Sequence, residues 1–296
     1  MASLRDIKKR IQAIKNIRQI TYAMKMVASA RIKKAQTQIL SFKPYMSYLE
    51  DIIFLLKDEM TSDDFKSNRL YRFSERDEKS NAIGIVVVSG DKGLCGSFNT
   101  SVINSAIKFI KNNKDKKIYL ITVGKKAYDF FKKIKDVEIY YQIYNIFPKS
   151  NYTHASLISS KVIEAYDSFK LDNVYLVYGE FKSMLKQEIK TKLLLPISVD
   201  DENKKAKKDF IDFEFEPDKE TLLENLIPKY INMEIYKLLL ESQASELASR
   251  MNAMELASKN AGELMDELTL AMNKLRQSQI TTELTEIVSG ANAING

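Results

Sequence analysis

Four groups of side chains have types and spacings that could do chemistry. The first is Gly90-Asp91-Lys92-Gly93-Leu94-Cys95-Gly96, which follows an apolar run and precedes a helical stretch. That is where α/β folds place phosphate-binding loops. The segment fits neither the GxGxxG spacing nor the GxxxxGK spacing, so a backbone-amide cradle for a nucleotide is not specified. Gly93, Cys95 and Gly96 are therefore read as a structural tight turn. Cys95 is the only cysteine, and as a nucleophile it would need a neighbouring base. With one histidine in the chain, a small buried thiol is the expected role. That histidine, His154, opens a predicted helix without carboxylates or cysteines at metal-ligand spacing, and reads as a cap or a surface residue. The acid pairs Asp63-Asp64 and Asp200-Asp201 lie in the most polar segments, where nothing would prepare a carboxyl for general acid work. No catalytic constellation is present, and no cofactor or metal is expected.

The elements around these residues divide the chain. Ile83 to Val88 is a continuous apolar run of the kind buried on both faces of a sheet. Further strand-like runs at Ile118 to Val123, Val137 to Tyr141 and Val174 to Val177 alternate with helical stretches at Ser101 to Lys111, Lys125 to Ile134 and Ala155 to Phe169. This alternation predicts a Rossmann-like α/β domain over residues 82-200 with a largely parallel sheet. Leu193, Leu194 and Leu195 before Pro196 could add an edge strand. Residues 58-81 read as a polar linker and 201-218 as a charged loop.

Both ends of the chain read as long helices, 1-57 and 219-296. Ser3 and Asp6 have capping-box spacing. Leu4, Ile7, Ile11, Ile14, Ile17, Ile20, Met24 and Val27 then recur every three or four residues, predicting one apolar face. The repeated spacing of three from Ile11 to Ile20 predicts a stammer in that face. Pro44 predicts a kink or a break. At the other end Leu240, Leu247, Met254, Ala261, Leu268 and Leu275 fall seven apart, with Ala244, Met251, Met265 and Met272 in a second register. A strict seven-residue repeat implies left-handed supercoiling against another helix. Residues 1-49 carry eleven bases and one acid, whereas residues 238-296 carry eight acids and four bases. Opposite signs favour pairing the two ends with each other as an antiparallel coiled coil.

Composition narrows the partners. The net charge of +7 favours an acidic partner surface. A nucleic-acid reading of the basic first helix is disfavoured by its regular apolar stripe and by the lack of interleaved base-stacking aromatics. A homodimeric coiled-coil tether is the other alternative. A single cysteine excludes an intrachain disulfide, and no apolar run approaches the roughly 18 residues needed to span a bilayer. The basic, amphipathic first 49 residues are similar to a mitochondrial transit peptide, but they are rich in Lys and poor in Ser, and their stripe continues too far to be discarded.

Three separated motifs then carry a resemblance. Ile14-Lys15-Asn16-Ile17 with Thr21-Tyr22-Ala23-Met24-Lys25-Met26-Val27-Ala28 is the first, and Asp91-Lys92-Gly93-Leu94-Cys95-Gly96-Ser97-Phe98-Asn99 the second. The third runs Arg276-Gln277-Ser278-Gln279-Ile280-Thr281-Thr282-Glu283-Leu284-Thr285-Glu286-Ile287-Val288-Ser289-Gly290-Ala291. Together, and in this order, they resemble the gamma subunit of F-type ATP synthase. The likeness is strong at both ends and weak between about residues 110 and 220. It implies a non-catalytic central rotor shaft that couples proton flow to conformational change in a ring of alpha and beta subunits, and so regulates ATPase activity and proton flow. The implied partners are that ring, the epsilon subunit and the membrane ring of c subunits. One copy per complex is implied, with no nucleic acid, bound peripherally on the cytoplasmic side of a bacterial cell membrane.

Residue by residue, the resemblance implies that Met24, Lys25, Arg276, Gln277, Thr281 and Glu283 contact a catalytic subunit. Ile280, Leu284, Ile287, Val288, Ala291 and Ile294 would face an apolar sleeve, and Phe213, Phe215 and Glu216 would form a foot on the membrane rotor. Lys92 and Ser97 stand where Arg and Gly are common in the family, both mild departures. The inserted cysteine pair of plant redox-regulated members is absent, so thiol control is not expected.

Overall fold

A computed structural model describes residues 3–58, 81–135, 137–197 and 216–295. The expected linker and the expected loop fall almost wholly outside these residues, as do Asp63, Asp64, Asp200, Asp201, Phe213 and Phe215. The elements run α1 (Leu4–Asp58), β1 (Ala82–Val88), α2 (Phe98–Asn112), β2 (Lys117–Val123), α3 (Lys125–Phe131), β3 (Glu138–Ile143), α4 (Tyr152–Ser168), β4 (Asn173–Phe181), β5 (Gln187–Leu195) and α5 (Lys219–Asn295). They form two compact units, Met1–Ser29 with Arg250–Gly296, and Ala30–Ser249. Helices α1 and α5 contribute to both.

The larger unit is built on a five-stranded sheet of order β3-β2-β1-β4-β5. Its first four strands are parallel and β5 pairs antiparallel to β4. Every residue of β1 is buried, as its wholly apolar, mostly Ile and Val content requires of a strand covered on both faces. On one face α2 and α3 pack through Phe98, Val102, Ala106, Ala127 and Phe131. On the other, α4 packs beside Leu49, Ile53 and Leu56 of α1 and Ile227, Ile231, Ile235 and Leu238 of α5. Each of these fully buried aliphatic side chains contributes roughly 1.5–3 kcal/mol by leaving water.

Local signals hold at the helix starts. Asp6 accepts from the Ser3 N–H at 3.2 Å while the Ser3 hydroxyl oxygen accepts from the Asp6 N–H at 3.2 Å, closing the capping box of α1. His154 is a cap residue in α4: its Nδ1 accepts from the Asn151 N–H, and the Asn151 side chain accepts from the His154 N–H at 3.0 Å.

Two expectations for α1 are corrected. Of the kink or break expected at Pro44, the break does not occur, since the helix runs through it. Pro44 lies on the exposed side, as does Leu40, whose carbonyl a proline four residues on cannot bond, while Met46 and Leu49 are buried. The expected apolar face also drifts from the observed one. Ile17, Ile20 and Val27 are 51%, 59% and 50% exposed, whereas Thr21 and Ala28 are buried and Lys25 is partly buried. The buried register is a regular heptad through Leu4, Ile7, Ile11, Ile14, Thr21, Lys25, Ala28, Ile32, Ala35, Met46, Leu49, Ile53 and Leu56, so there is no stammer. A helix phase set by the apolar residues on either side carries polar residues inward where the heptad falls on them, and long side chains there reach back to water.

Candidate functional site

The smaller unit pairs the start of α1 with the end of α5. Lys25 Nζ meets Glu255 Oε1 at 2.6 Å, and the Arg18 guanidinium lies against Gly262. Seven residues back along α1 thus match seven forward along α5, which is antiparallel pairing in constant register. Carried on through two more heptads, the register brings Leu4 opposite Arg276, where α1 ends. The α5 heptads are as expected, with Met251, Met254 and Ala261 buried and Met265, Leu268, Met272 and Leu275 partly buried. From Arg276 to Asn292 every α5 residue is exposed.

A Cβ added at Gly262 would stand 3.6 Å from the nearest Arg18 atom, an ordinary contact. Glycine inside a helix costs about 1 kcal/mol relative to alanine. Gly262→Ala is therefore expected to raise stability by about 0.5–1 kcal/mol in a denaturant titration.

The residues that the sequence marks as contacts fall in this unit. Met24 and Lys25 are half-buried on α1, while Arg276, Gln277, Thr281 and Glu283 are exposed on α5. Thr281 donates its hydroxyl to its own helix at the Gln277 carbonyl. Ile280, Leu284, Ile287 and Val288 are large apolar residues lying open, with Ala291 exposed beside them. Ile294 continues the helix backbone, and Glu216 is exposed just before α5.

The second group lies in the larger unit, at the carboxyl ends of the parallel strands. Asp91, largely buried, accepts from three backbone N–H groups: Lys125 at 2.9 Å, Asn145 at 2.8 Å and Phe147 at 2.9 Å. It ties the loops after β1, β2 and β3 together, a role the sequence reading missed. Its signal was an acid set among glycines directly after a buried strand. Asn99 accepts from the Gly90 N–H at 2.8 Å and donates to the Lys92 carbonyl at 3.2 Å. Cys95 is 1% exposed, with its Sγ 3.0 Å from Asn99 Nδ2. Gly96 adopts φ +56, a conformation that a side chain resists, and Gly93 has open space where a Cβ would stand.

In a sheet of this order, ligands bind between β1 and β4, where the connections diverge. Here α5 fills that crevice. Ser249 donates to the Cys95 carbonyl at 2.7 Å. Gln243 Oε1 accepts from the Ser150 hydroxyl at 2.7 Å and the Ser150 N–H at 3.1 Å. Glu246 is buried close to Gly90, where an added Cβ would sit 3.3 Å from its Cγ. Gly179 of β4 lets the helix approach: a Cβ there would stand 2.5 Å from Phe98 and 3.0 Å from Ser245. The phosphate-loop position is thus closed by the chain itself.

Buried and partly buried acids gather on this helix and on the elements around it. Glu234 is buried and ion-paired with Lys192 and Lys237. Glu180 of β4 pairs with Lys182 and Lys190. Burial pushes the Glu241 carboxyl above the usual range, with the charges of Glu180 and Glu234 adding to it against Lys237. Burial raises Glu50 in the same way, and it lifts the Tyr178 phenol far above its ordinary value. A carboxyl raised on folding favours the folded state most below its unfolded value near 4.5, and that contribution is lost as pH rises through the folded value. Glu241→Gln, uncharged throughout, is therefore expected to be more stable than the parent at pH 8 and to lose that advantage at pH 4. Denaturant unfolding at both pH values is the check.

Among the described residues no group of acids, histidines or cysteines could hold a metal ion, and no helix is long and apolar enough to cross a membrane.

The family model described as ATP synthase matches residues 3–294. The ATP synthase gamma chain of Elusimicrobium minutum is 40% identical over 304 residues, covering 100% of both chains. That of Geobacter metallireducens is 41% identical over 301 residues, again covering 100% of both. Among solved structures, a chain of the Tetrahymena thermophila mitochondrial ATP synthase central stalk and c-ring matches with TM-score 0.60 at 25% identity, covering 81% of this chain and 99% of that one. A chain of the Euglena gracilis mitochondrial ATP synthase shares the fold with TM-score 0.66 at 20% identity, covering 98% of this chain and 94% of that one. With three motifs, paired terminal helices and a family match over nearly its whole length, the chain belongs to the gamma-subunit family of F-type ATP synthase and has the fold of its central-stalk rotor.

Proposed function

We propose that the chain is the turning shaft of a proton-translocating ATP synthase, and is itself non-catalytic. The observation that carries this reading is the run of α5 beyond the end of α1. There a regular helix presents Ile280, Leu284, Ile287 and Val288 to solvent. A contiguous exposed apolar surface calls for a partner. An apolar sleeve suits a part that must turn, because it offers no directional bonds to break. One asymmetric shaft within three equivalent catalytic subunits holds each in a different conformation, and rotation redistributes their nucleotide affinities by differential contact.

In this reading Met24, Lys25, Arg276, Gln277, Thr281 and Glu283 touch a catalytic subunit, and the tip turns in a sleeve of alpha and beta subunits. The epsilon subunit and the ring of c subunits engage the foot, of which Phe213 and Phe215 lie outside the described residues. The complex sits on the cytoplasmic face of a bacterial membrane, with one copy of this chain. The test is a cysteine at Arg276 paired with one in the catalytic subunit. Crosslinking is expected to stop coupled turnover, and reduction to restore it. Full coupled turnover in the crosslinked complex, or robust ATP hydrolysis by the isolated chain, would overturn the reading.

A further inference from the structure

The sheet rim that takes ligands in related architectures is occupied by the chain's own helix. Gln243, Glu246 and Ser249 recur every three residues, so they share one face of α5. Each reaches a different part of the rim: Gln243 the Ser150 loop after β3, Glu246 the Gly90 end of β1, and Ser249 the Cys95 turn. Ser245 on the neighbouring face closes on Gly179 of β4. The Gln243 and Ser249 contacts are directional hydrogen bonds, unlike the apolar packing of Ile227, Ile231, Ile235 and Leu238 of α5. An apolar interface tolerates sliding, whereas hydrogen bonds to two separate loops, those after β1 and β3, with Glu246 close against Gly90 between them, resist both axial slip and rotation of the helix about its own axis.

We propose that the rim is a torque grip: Gln243, Glu246 and Ser249 are positioning residues that lock α5 to the sheet, so that force on either is delivered to the other without slip. This rests on the shaft reading. It assigns the Rossmann-like domain a mechanical task at the position where its relatives in architecture bind a ligand.

The experiment uses the assembled, membrane-reconstituted complex and compares protons pumped per ATP hydrolysed. Gln243→Leu with Ser249→Ala removes both hydrogen-bonded tethers while keeping side-chain bulk at the first. The milder Ser249→Ala alone keeps the question open should the double variant not assemble. The expected result is that ATP hydrolysis persists while protons pumped per ATP fall at least twofold in the double variant, and in the same direction in the single one. A ratio equal to the parent's, accompanied only by a lower melting temperature, would show that the tethers serve stability alone and would overturn the proposal. The parent complex keeps the two readings separable: if it too failed to pump, the shaft reading would fall, whereas a pumping parent beside unaffected variants sinks only the grip.

Discussion

Leu284→Asp combined with Ile287→Asp is expected to leave the isolated chain as stable as the parent, yet to reduce the yield of assembled, coupled complex at least tenfold. Both side chains are more than half exposed, at 57% and 67%, and exposed substitutions stay within about 0.5 kcal/mol. Inside an apolar sleeve the balance reverses. Placing an unpaired carboxylate among apolar groups costs several kcal/mol, and about 1.4 kcal/mol already corresponds to a tenfold change in an equilibrium constant. The measurements are a melting curve on the chain and the recovery of complex with proton-coupled turnover. Normal recovery and coupling would mean that these residues do not face a sleeve.

Asp91→Ala is expected to have the opposite signature, a large loss of stability in the chain itself. Three backbone N–H groups, that of Phe147 buried and those of Lys125 and Asn145 partly so, would lose their acceptor at once. Bonds to charged groups contribute about 1.5–3 kcal/mol each but do not add fully, so a loss of about 3–5 kcal/mol is expected. That is a large part of the roughly 5–15 kcal/mol that holds a domain folded. Asp91→Asn should fall between the two. Its oxygen can keep Lys125 and Asn145, both held by Oδ1, but its amide would then point at the Phe147 N–H. Denaturant midpoints for the three proteins give the order, and an Asp91→Ala protein as stable as the parent would refute the clamp.

These two sites differ in how far the sequence disclosed them. The parallel strands were legible where β1, β2 and the centre of β4 are mainly apolar runs. The outer half of β5 was not, since Gln187, Glu188, Lys190 and Lys192 leave no apolar run ahead of Leu193. An antiparallel edge strand can be polar without penalty, because one side of it meets water. The heptads of α5 were legible, but the buried phase of α1 was misplaced from Ile17 to Val27: Ile17, Ile20 and Val27 drew the stripe toward them while Thr21 and Ala28 held the true register. Periodicity shows that a helix has an apolar face, but two competing apolar positions look alike until a partner selects one. The exposed isoleucines on α1 are then surplus to the pairing with α5. Asp91 was quoted as part of a motif without a role, since its three partners lie in other loops and a sequence does not show which loops meet.

Cys95 has a practical consequence. A thiol reacts as the thiolate and only where a reagent can reach it, and this one is enclosed at the rim beneath Asn99. It is also the only cysteine in the sequence. A maleimide or spin label offered to the folded chain should therefore find almost nothing to modify, and a single cysteine introduced at an exposed site such as Arg276 would take the label selectively. The natural protein can serve as its own low-background scaffold for site-directed labelling, with the native thiol left in place.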